Sequence, residues 1–312
     1  MRFLAVLPVS IGGRLTTSSM IDGFIQNGLE ALVYDELKQE DFSKYLEKDF
    51  DFILGYDFSP IKLKADFGLK IPLISYFSDE IDKKTAGVGY LEYKKYLKDE
   101  TNHIFYWDRA LSQKENQKNI IYMPHFVNEK IYFDFNKNPK YDVLFMGRLD
   151  TFLRLDLFLY LNKCLKNFSF GWHAIEKHYL DALSRLKDEE DRKIIKKAYR
   201  GFIDNEKDMA RAINDYKIVY NVNAQGKSSL NYRTIQTLAS KRLLISDERE
   251  ELDLFSNLIP TYKTKEDLAE KIEFYLKNKE KREEISKKCQ EIVFKNHSAK
   301  VCTKKMLEIA KL

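Results

Sequence analysis

Short apolar runs recur along the chain, separated by longer polar stretches. Phe3–Leu7, Ala31–Tyr34, Phe52–Leu54, Pro72–Tyr76, His103–Trp107 and Ile120–Met123 are each brief, nearly continuous hydrophobic runs bounded by Pro, Gly, Asp or polar residues. A strand in a parallel sheet is covered on both faces, so it shows a continuous apolar run rather than alternation. The pattern predicts six such strands with helices between them. The first run is followed by a predicted loop, VSIGGRLTTSS, and then by a short helix over Met20–Gly28.

The pattern breaks at Asn128–Lys140, a polar segment without a long apolar run that reads as an interdomain linker. It restarts with a strand at Asp142–Met146, a helix near Leu153–Leu165 and a strand near Phe168–Trp172. Tyr179–Lys197 is charged with helical period and reads as a pair of solvated helices, and Asn205–Asp215 as another helix. A strand at Ile218–Val222, a polar loop to Asn231, a helix at Tyr232–Ser240 and a strand at Leu243–Ser246 follow. Glu251–Phe255 is a short helix, Ile259–Tyr262 a last strand, and three helices (264–278, 279–295, 298–311) close the chain. The expected class is α/β. Two Rossmann-like βα domains are predicted, 1–127 and 141–295, joined by a linker at 128–140. The terminal helix, 296–312, is expected to pack back on the first domain.

Length agrees with two domains, since 312 residues exceed one ordinary core. Net charge is +5, from 53 basic and 48 acidic residues, too mild and too dispersed to indicate nucleic acid. It is compatible with an anionic ligand or with peripheral contact at an acidic membrane. Cys164, Cys289 and Cys302 are odd in number and lack a CxxC spacing, so they indicate reduced thiols rather than a disulfide or zinc framework. The first apolar run is too short for a signal-peptide core or a membrane span. A cytoplasmic protein is expected, peripheral at most to the inner face of the membrane.

Chemistry in such sheets gathers at the strand C-terminal ends. Ile218–Glu248 forms a βαβ unit whose loop and helix start carry Lys227, Ser228, Ser229, Asn231 and Arg233. A helix N-terminus offers unpaired N–H groups and partial positive charge, which suits phosphate. Gly12 and Gly13 after the first strand would let backbone approach an anion, although they form neither GxGxxG nor a Walker loop. A tight turn is the plainer reading there. Gly147-Arg148 holds the equivalent place in the second half, with a guanidinium fork for a diphosphate. Asp79 and Asp108 follow apolar strands, and either could take a proton from a hydroxyl. A helix N-cap role fits each of them at least as well. The histidines lack metal-ligand spacing, and no metal site is predicted.

Several segments resemble the GT-B glycosyltransferases, in particular the group with CgeB-like and family-4-like transferases. They are Asp142–Arg148, Ser229–Ser240, Leu244–Asp247, Glu251-Leu252, Tyr262, Asp267-Leu268 and Asn296-His297-Ser298. Met123–Phe133 resembles the stretch that ends the first domain in this superfamily. The resemblance covers most of residues 120–312. It implies two domains facing each other across a cleft. It also implies a nucleotide-diphosphate sugar as substrate rather than cofactor, and a glycan, lipid-linked or protein acceptor. By the same resemblance the donor would meet Gly12, Gly13, Gly147, Arg148, Lys227, Ser229, Asn231 and Arg233. Gln236 stands where the family has a ribose-binding Glu. An inverting reaction would need a base, Asp79 ahead of Asp108, whereas a retaining one would not. A GT-B-shaped module without catalysis is the competing reading.

Overall fold

The computed structural model describes residues 1–78, 90–223 and 226–312. These residues group into two compact units. Unit 1 comprises Met1–Asn128, Gln225–Leu230 and Lys295–Leu312; unit 2 comprises Glu129–Ala224 and Asn231–Phe294.

Unit 1 is built on β1 (Arg2–Leu7), β2 (Glu30–Asp35), β3 (Phe52–Tyr56), β4 (Leu73–Phe77), β5 (Asn102–Tyr106) and β6 (Ile120–Tyr122). They form one parallel sheet in the order β2-β1-β3-β4-β5-β6. The helices are α1 (Ile11–Gln26), α2 (Ser43–Leu46), α3 (Ser59–Asp66), α4 (Tyr90–Tyr93) and α5 (Arg109–Glu115). β3 and β4 are buried along their whole length, as continuous apolar runs demand of strands covered on both faces. The chain moves outward from β1 to β2 and then returns to the other side of β1 for β3. That reversal is a topological switch point, where the loops on either side diverge and leave a crevice.

The expected loop after β1 is instead the first turn of a long helix. Ser10 accepts a hydrogen bond from the Gly13 N–H at 3.3 Å and caps α1, so helix begins at Ile11 rather than near Met20. The capping hydroxyl offsets the helix cost of Gly12-Gly13, and Thr16 hydrogen-bonds back to the Gly12 carbonyl at 3.1 Å.

Unit 2 has β7 (Tyr141–Met146), β8 (Phe170–His173), β9 (Tyr216–Asn221), β10 (Leu243–Asp247) and β11 (Thr261–Tyr262), parallel in the order β11-β10-β9-β7-β8. Its helices are α6 (Phe152–Cys164), α7 (Glu176–Ser184), α8 (Glu189–Ala198), α9 (Glu206–Asn214), α10 (Tyr232–Ala239), α11 (Lys265–Lys277) and most of α12 (Lys279–Asn296). Its switch point falls between β7 and β9.

Much of the segment 128–140, expected as an interdomain linker, is fastened into unit 2 from Glu129 on. Tyr132 is fully buried, Phe135 N–H donates to Asn214 Oδ1, and Asp134 pairs with both Lys241 and Arg242. A polar segment can still be a fixed one when its few aromatic and charged residues find partners.

The last helix, α13 (Ala299–Ala310), belongs to unit 1 and packs on α1. Val127 and Ser298 form a short parallel bridge, and Asn27 Nδ2 donates to Lys300 O at 2.9 Å and Thr303 Oγ1 at 3.0 Å. Among the described residues, no helix is long and apolar enough to cross a membrane.

Candidate functional site

The switch point of unit 2 gathers cations. Gly147 directly follows β7 and has φ +138°, a region that favours glycine. A Cβ there would lie 3.3 Å from Arg233 Nη2, so the missing side chain lets that guanidinium lie over the strand end. Arg233 comes from the first turn of α10. Arg154, from the first turn of α6, donates to the Val222 carbonyl at 2.8 Å and the Arg148 carbonyl at 3.4 Å. It thereby ties the ends of β7 and β9 together. Thr151 caps α6 and fixes where Arg154 starts.

The charges in this cluster are not balanced. Arg148 and Arg154 share Asp150, at 3.1 and 3.8 Å. Arg233 has no hydrogen-bond acceptor and no carboxylate partner among the described residues. Burial, then the positive charges of Arg154 and Arg148, pull its guanidinium down to about 10. A guanidinium withdrawn from water without a partner is costly, and an anion would relieve it.

The backbone around this point is held by amides. Asn223 accepts from the Asn231 N–H at 2.9 Å and donates to Asp247 Oδ1 at 2.7 Å; Arg249 Nη2 donates to the Asn223 carbonyl at 2.7 Å. Asn231 occupies the cap position of α10 without capping it, because its side-chain amide donates to Asn221 Oδ1. Asn231 therefore gives the first turn of α10 no side-chain cap, and a helix N-terminus is an end at which phosphate binds. Tyr220 Oη, Asn231 Oδ1 and Thr234 Oγ1 are also buried without partners among the described residues.

Gln236 is engaged within unit 2. It is buried, and its amide donates to Tyr132 Oη at 2.6 Å. The fastened segment 129–137 is what claims it.

Other expected residues form a separate arrangement within unit 1. Lys227 and Ser229 are grouped with this unit and converge on Asp108. Oδ2 of Asp108 accepts from the backbone N–H of Lys227, Ser228 and Ser229 at 2.6, 3.1 and 3.2 Å. Oδ1 accepts from Leu111 N–H at 2.8 Å, capping α5, and from Ser228 Oγ at 3.1 Å. Burial would raise this carboxyl, but the backbone donors outweigh it and hold it below the usual carboxylate range. Asp108 is fully buried and its oxygens are occupied, so its geometry is that of a clasp and not of an open base. Gly226 makes the clasp possible. Its φ is +72°, and a Cβ would meet Trp107 at 2.5 Å and Asp108 Oδ2 at 2.6 Å.

The Trp107 ring stacks on His125 with centroids 5.5 Å apart, and His125 Nδ1 meets Tyr76 Oη at 3.0 Å. Burial pushes His125 down to about 3, so it is neutral. Gly12 and Gly13 lie in the first turn of α1. Gly13 is wedged against Pro8 and Tyr56, which leaves Gly12 as the open one. Asp79 lies outside the described residues.

Arg154 and the amide set Asn221, Asn223 and Asn231 escaped the sequence reading as a constellation. Arg154 was visible, since it stands two residues into a capped helix after Gly147-Arg148. Its bridge to Val222, however, joins elements far apart in the chain.

Two parallel-sheet Rossmann-like units, one with a cation cluster at its switch point, define a class, and comparison with known proteins narrows it. Residues 172–308 match a family model described as glycosyl transferase-like, over somewhat less than half of the chain. No curated protein gives a significant sequence match. Solved structures align over nearly the whole chain. A glycosyltransferase from Rickettsia africae ESF-5 is 16% identical, with 99% of this chain and 97% of that one covered and a TM-score of 0.69. Sucrose-phosphate synthase from Thermosynechococcus elongatus is 10% identical, with 100% and 98% covered and a TM-score of 0.71. Anabaena HepE, solved with UDP and glucose, is 11% identical, with 100% of both chains covered and a TM-score of 0.72. Likeness at these identities is one of fold, and the fold is that of the GT-B glycosyltransferases.

Proposed function

We propose that this protein is a glycosyltransferase that moves a sugar from a nucleotide-diphosphate donor to a hydroxyl of a saccharide, lipid-linked or protein acceptor. The observation that carries the reading is Arg233, a partly buried guanidinium at the end of β7 without a partner among the described residues. In this reading the donor's diphosphate lies against Arg233 and Arg148, with the N–H groups of α10 as further donors. Arg154 positions the strand ends and adds to the positive field.

When the bond between the anomeric carbon and the β-phosphate oxygen breaks, negative charge grows on the leaving diphosphate. Fixed guanidinium groups stabilise that charge without reorganising. The acceptor oxygen forms the new bond, and its proton passes to a base or to the leaving phosphate. For an inverting reaction the proposed base is Asp79. Arginine rather than a divalent cation would neutralise the diphosphate, so transfer should persist in EDTA.

A panel of UDP-, GDP-, dTDP- and CMP-sugars tests the reading, with UDP-sugars first. Hydrolysis of one of the nucleotide-diphosphate sugars, and transfer once an acceptor is supplied, is the expected result, whereas hydrolysis of a CMP-sugar alone would speak against a diphosphate donor. Nucleotide binding without turnover of any sugar would favour the second reading, a non-catalytic module. The occupied carboxylate of Asp108 and the Gln236–Tyr132 bond give that alternative its support.

A further inference from the structure

Unit 2 has a second concentration of positive charge at the opposite edge of its sheet. A cavity of about 530 Å³ is lined by Lys137, Lys217, Lys241, Arg242, Lys279 and Arg282. Lys217 is the second residue of β9 and Arg242 immediately precedes β10, so the cavity lies at the strand N-terminal edge. Gly147, Asn221 and Asp247 mark the other edge. The strands are parallel, and the two sites therefore occupy different ends of the same sheet.

The carboxylates here do not match the cations. Asp134 and Glu283 line the cavity, and Asp134 is shared by Lys241 at 3.1 Å and Arg242 at 3.3 Å. Asp142 stands behind Lys217 at 2.7 Å, and Glu283 is 3.7 Å from Lys279. Asp215 acts on Arg242 from its own side. Among the described residues six cations thus face four carboxylates, one of which, Asp215, also lies 3.7 Å from Lys140, and Lys137 Nζ has no partner.

The floor is built rather than incidental. Arg242 is 7% exposed and its guanidinium is fixed by Asn214 and Asp134, while Arg282 is 8% exposed and donates to the Tyr275 carbonyl at 2.6 Å. Lys241, two residues beyond the end of α10, holds φ +54°, a conformation that costs a side-chain-bearing residue about 1 kcal/mol and is usually given to glycine. Here it carries an ammonium to the cavity wall. A strained backbone that presents a charge is a reason to look for a ligand.

The geometry points to a phosphate-binding site in this cavity, for a phosphomonoester dianion on a small polar body. An excess of at least two positive charges suffices for one dianion, and the volume lies within the range of small-molecule sites. The same group occurs on a soluble sugar or glycerol phosphate and on a lipid headgroup. This site is independent of the nucleotide reading.

The test uses the full chain with two probes of the same chemistry: glycerol 3-phosphate by calorimetry, and phosphatidylcholine vesicles containing phosphatidic acid by co-sedimentation. The comparison variant is Lys137→Glu with Lys279→Glu, both exposed and outside the sheet core. A second variant, Lys38→Glu with Lys114→Glu, makes the same change of net charge in unit 1. Binding of glycerol 3-phosphate that the first variant weakens by about tenfold or more, with the second unaffected, supports a soluble ligand. The same contrast on vesicles alone supports a headgroup. Binding to neither probe, or equal loss in both variants, would overturn the site. UDP titration of the first variant should be unchanged, which separates this outcome from a failure at Arg233.

Discussion

Arg233 is costly to keep where it is, and that cost gives a sharp expectation. Burial and two neighbouring arginines disfavour its charge, and nothing among the described residues compensates. Replacing it with alanine should therefore leave the melting temperature unchanged or raise it. UDP affinity should fall by roughly 1.5–3 kcal/mol, the loss expected for a charge-assisted hydrogen bond. Calorimetric binding and thermal melting of Arg233→Ala, measured together, check both halves. A lower melting temperature with unchanged UDP affinity would make Arg233 a packing residue. His125 gives a second expectation at this scale. Burial holds it down to about 3, against 6.5 when exposed. Below pH 6.5 the unfolded chain takes up a proton that the folded chain refuses, so stability falls as pH falls towards 3. His297, pushed down to about 4 by burial and by Lys305, acts in the same direction. Each contributes on the order of 3 kcal/mol of lost stability at about pH 4, taking 1.4 kcal/mol per unit. Urea midpoints across this range should show the slope, and His125→Gln should flatten it.

At the scale of elements, one hydroxyl and one carboxylate decide what the apolar pattern left open. Ser10 turns an expected glycine loop into the first turn of α1. Asp108 gathers the N–H groups of Lys227, Ser228 and Ser229, while Ser228 Oγ accepts from Ala110 N–H at 3.0 Å. Residues 226–230 and the start of α5 thus cap each other. Gly226→Ala should break this arrangement, because alanine disfavours φ +72° and its Cβ would press on Asp108 and Trp107. A loss of roughly 2 kcal/mol or more in unit 1 is expected, combining the strain of the left-handed region with lost bonds to a buried carboxylate. Hydrogen exchange at Ser228 and Ser229 should quicken before global unfolding. Full protection in the variant would show the clasp to be unnecessary.

For the molecule as a whole, chain order and packing order differ. The final helix follows unit 2 in sequence but belongs to unit 1, with Ala299, Cys302 and Met306 buried and α1 as its neighbour. Removing residues 297–312 would uncover α1 and leave Val127 without its bridge to Ser298. A loss of roughly 5 kcal/mol or more is expected from the several apolar side chains involved, enough to exhaust an ordinary domain's stability. Proteolysis of the shortened chain should cut unit 1 first and leave unit 2 resistant. Equal resistance of both units would assign the helix a lesser role.

The sequence by itself determined the two-unit α/β fold, because a strand buried on both faces must be apolar throughout and each one is written as a local run. It also marked Gly147, Arg148 and Arg233 as candidates, since strand ends and helix starts are local features. Only the tertiary structure decided which partners the candidate residues meet. The Arg154 bridge to Val222, the Tyr132–Gln236 bond and the donors around Asp108 each join positions distant in the chain. Whether a polar side chain is spoken for depends on partners that folding brings to it, and no local pattern records them. Arg233 stands out because, among the described residues, folding brings it no partner.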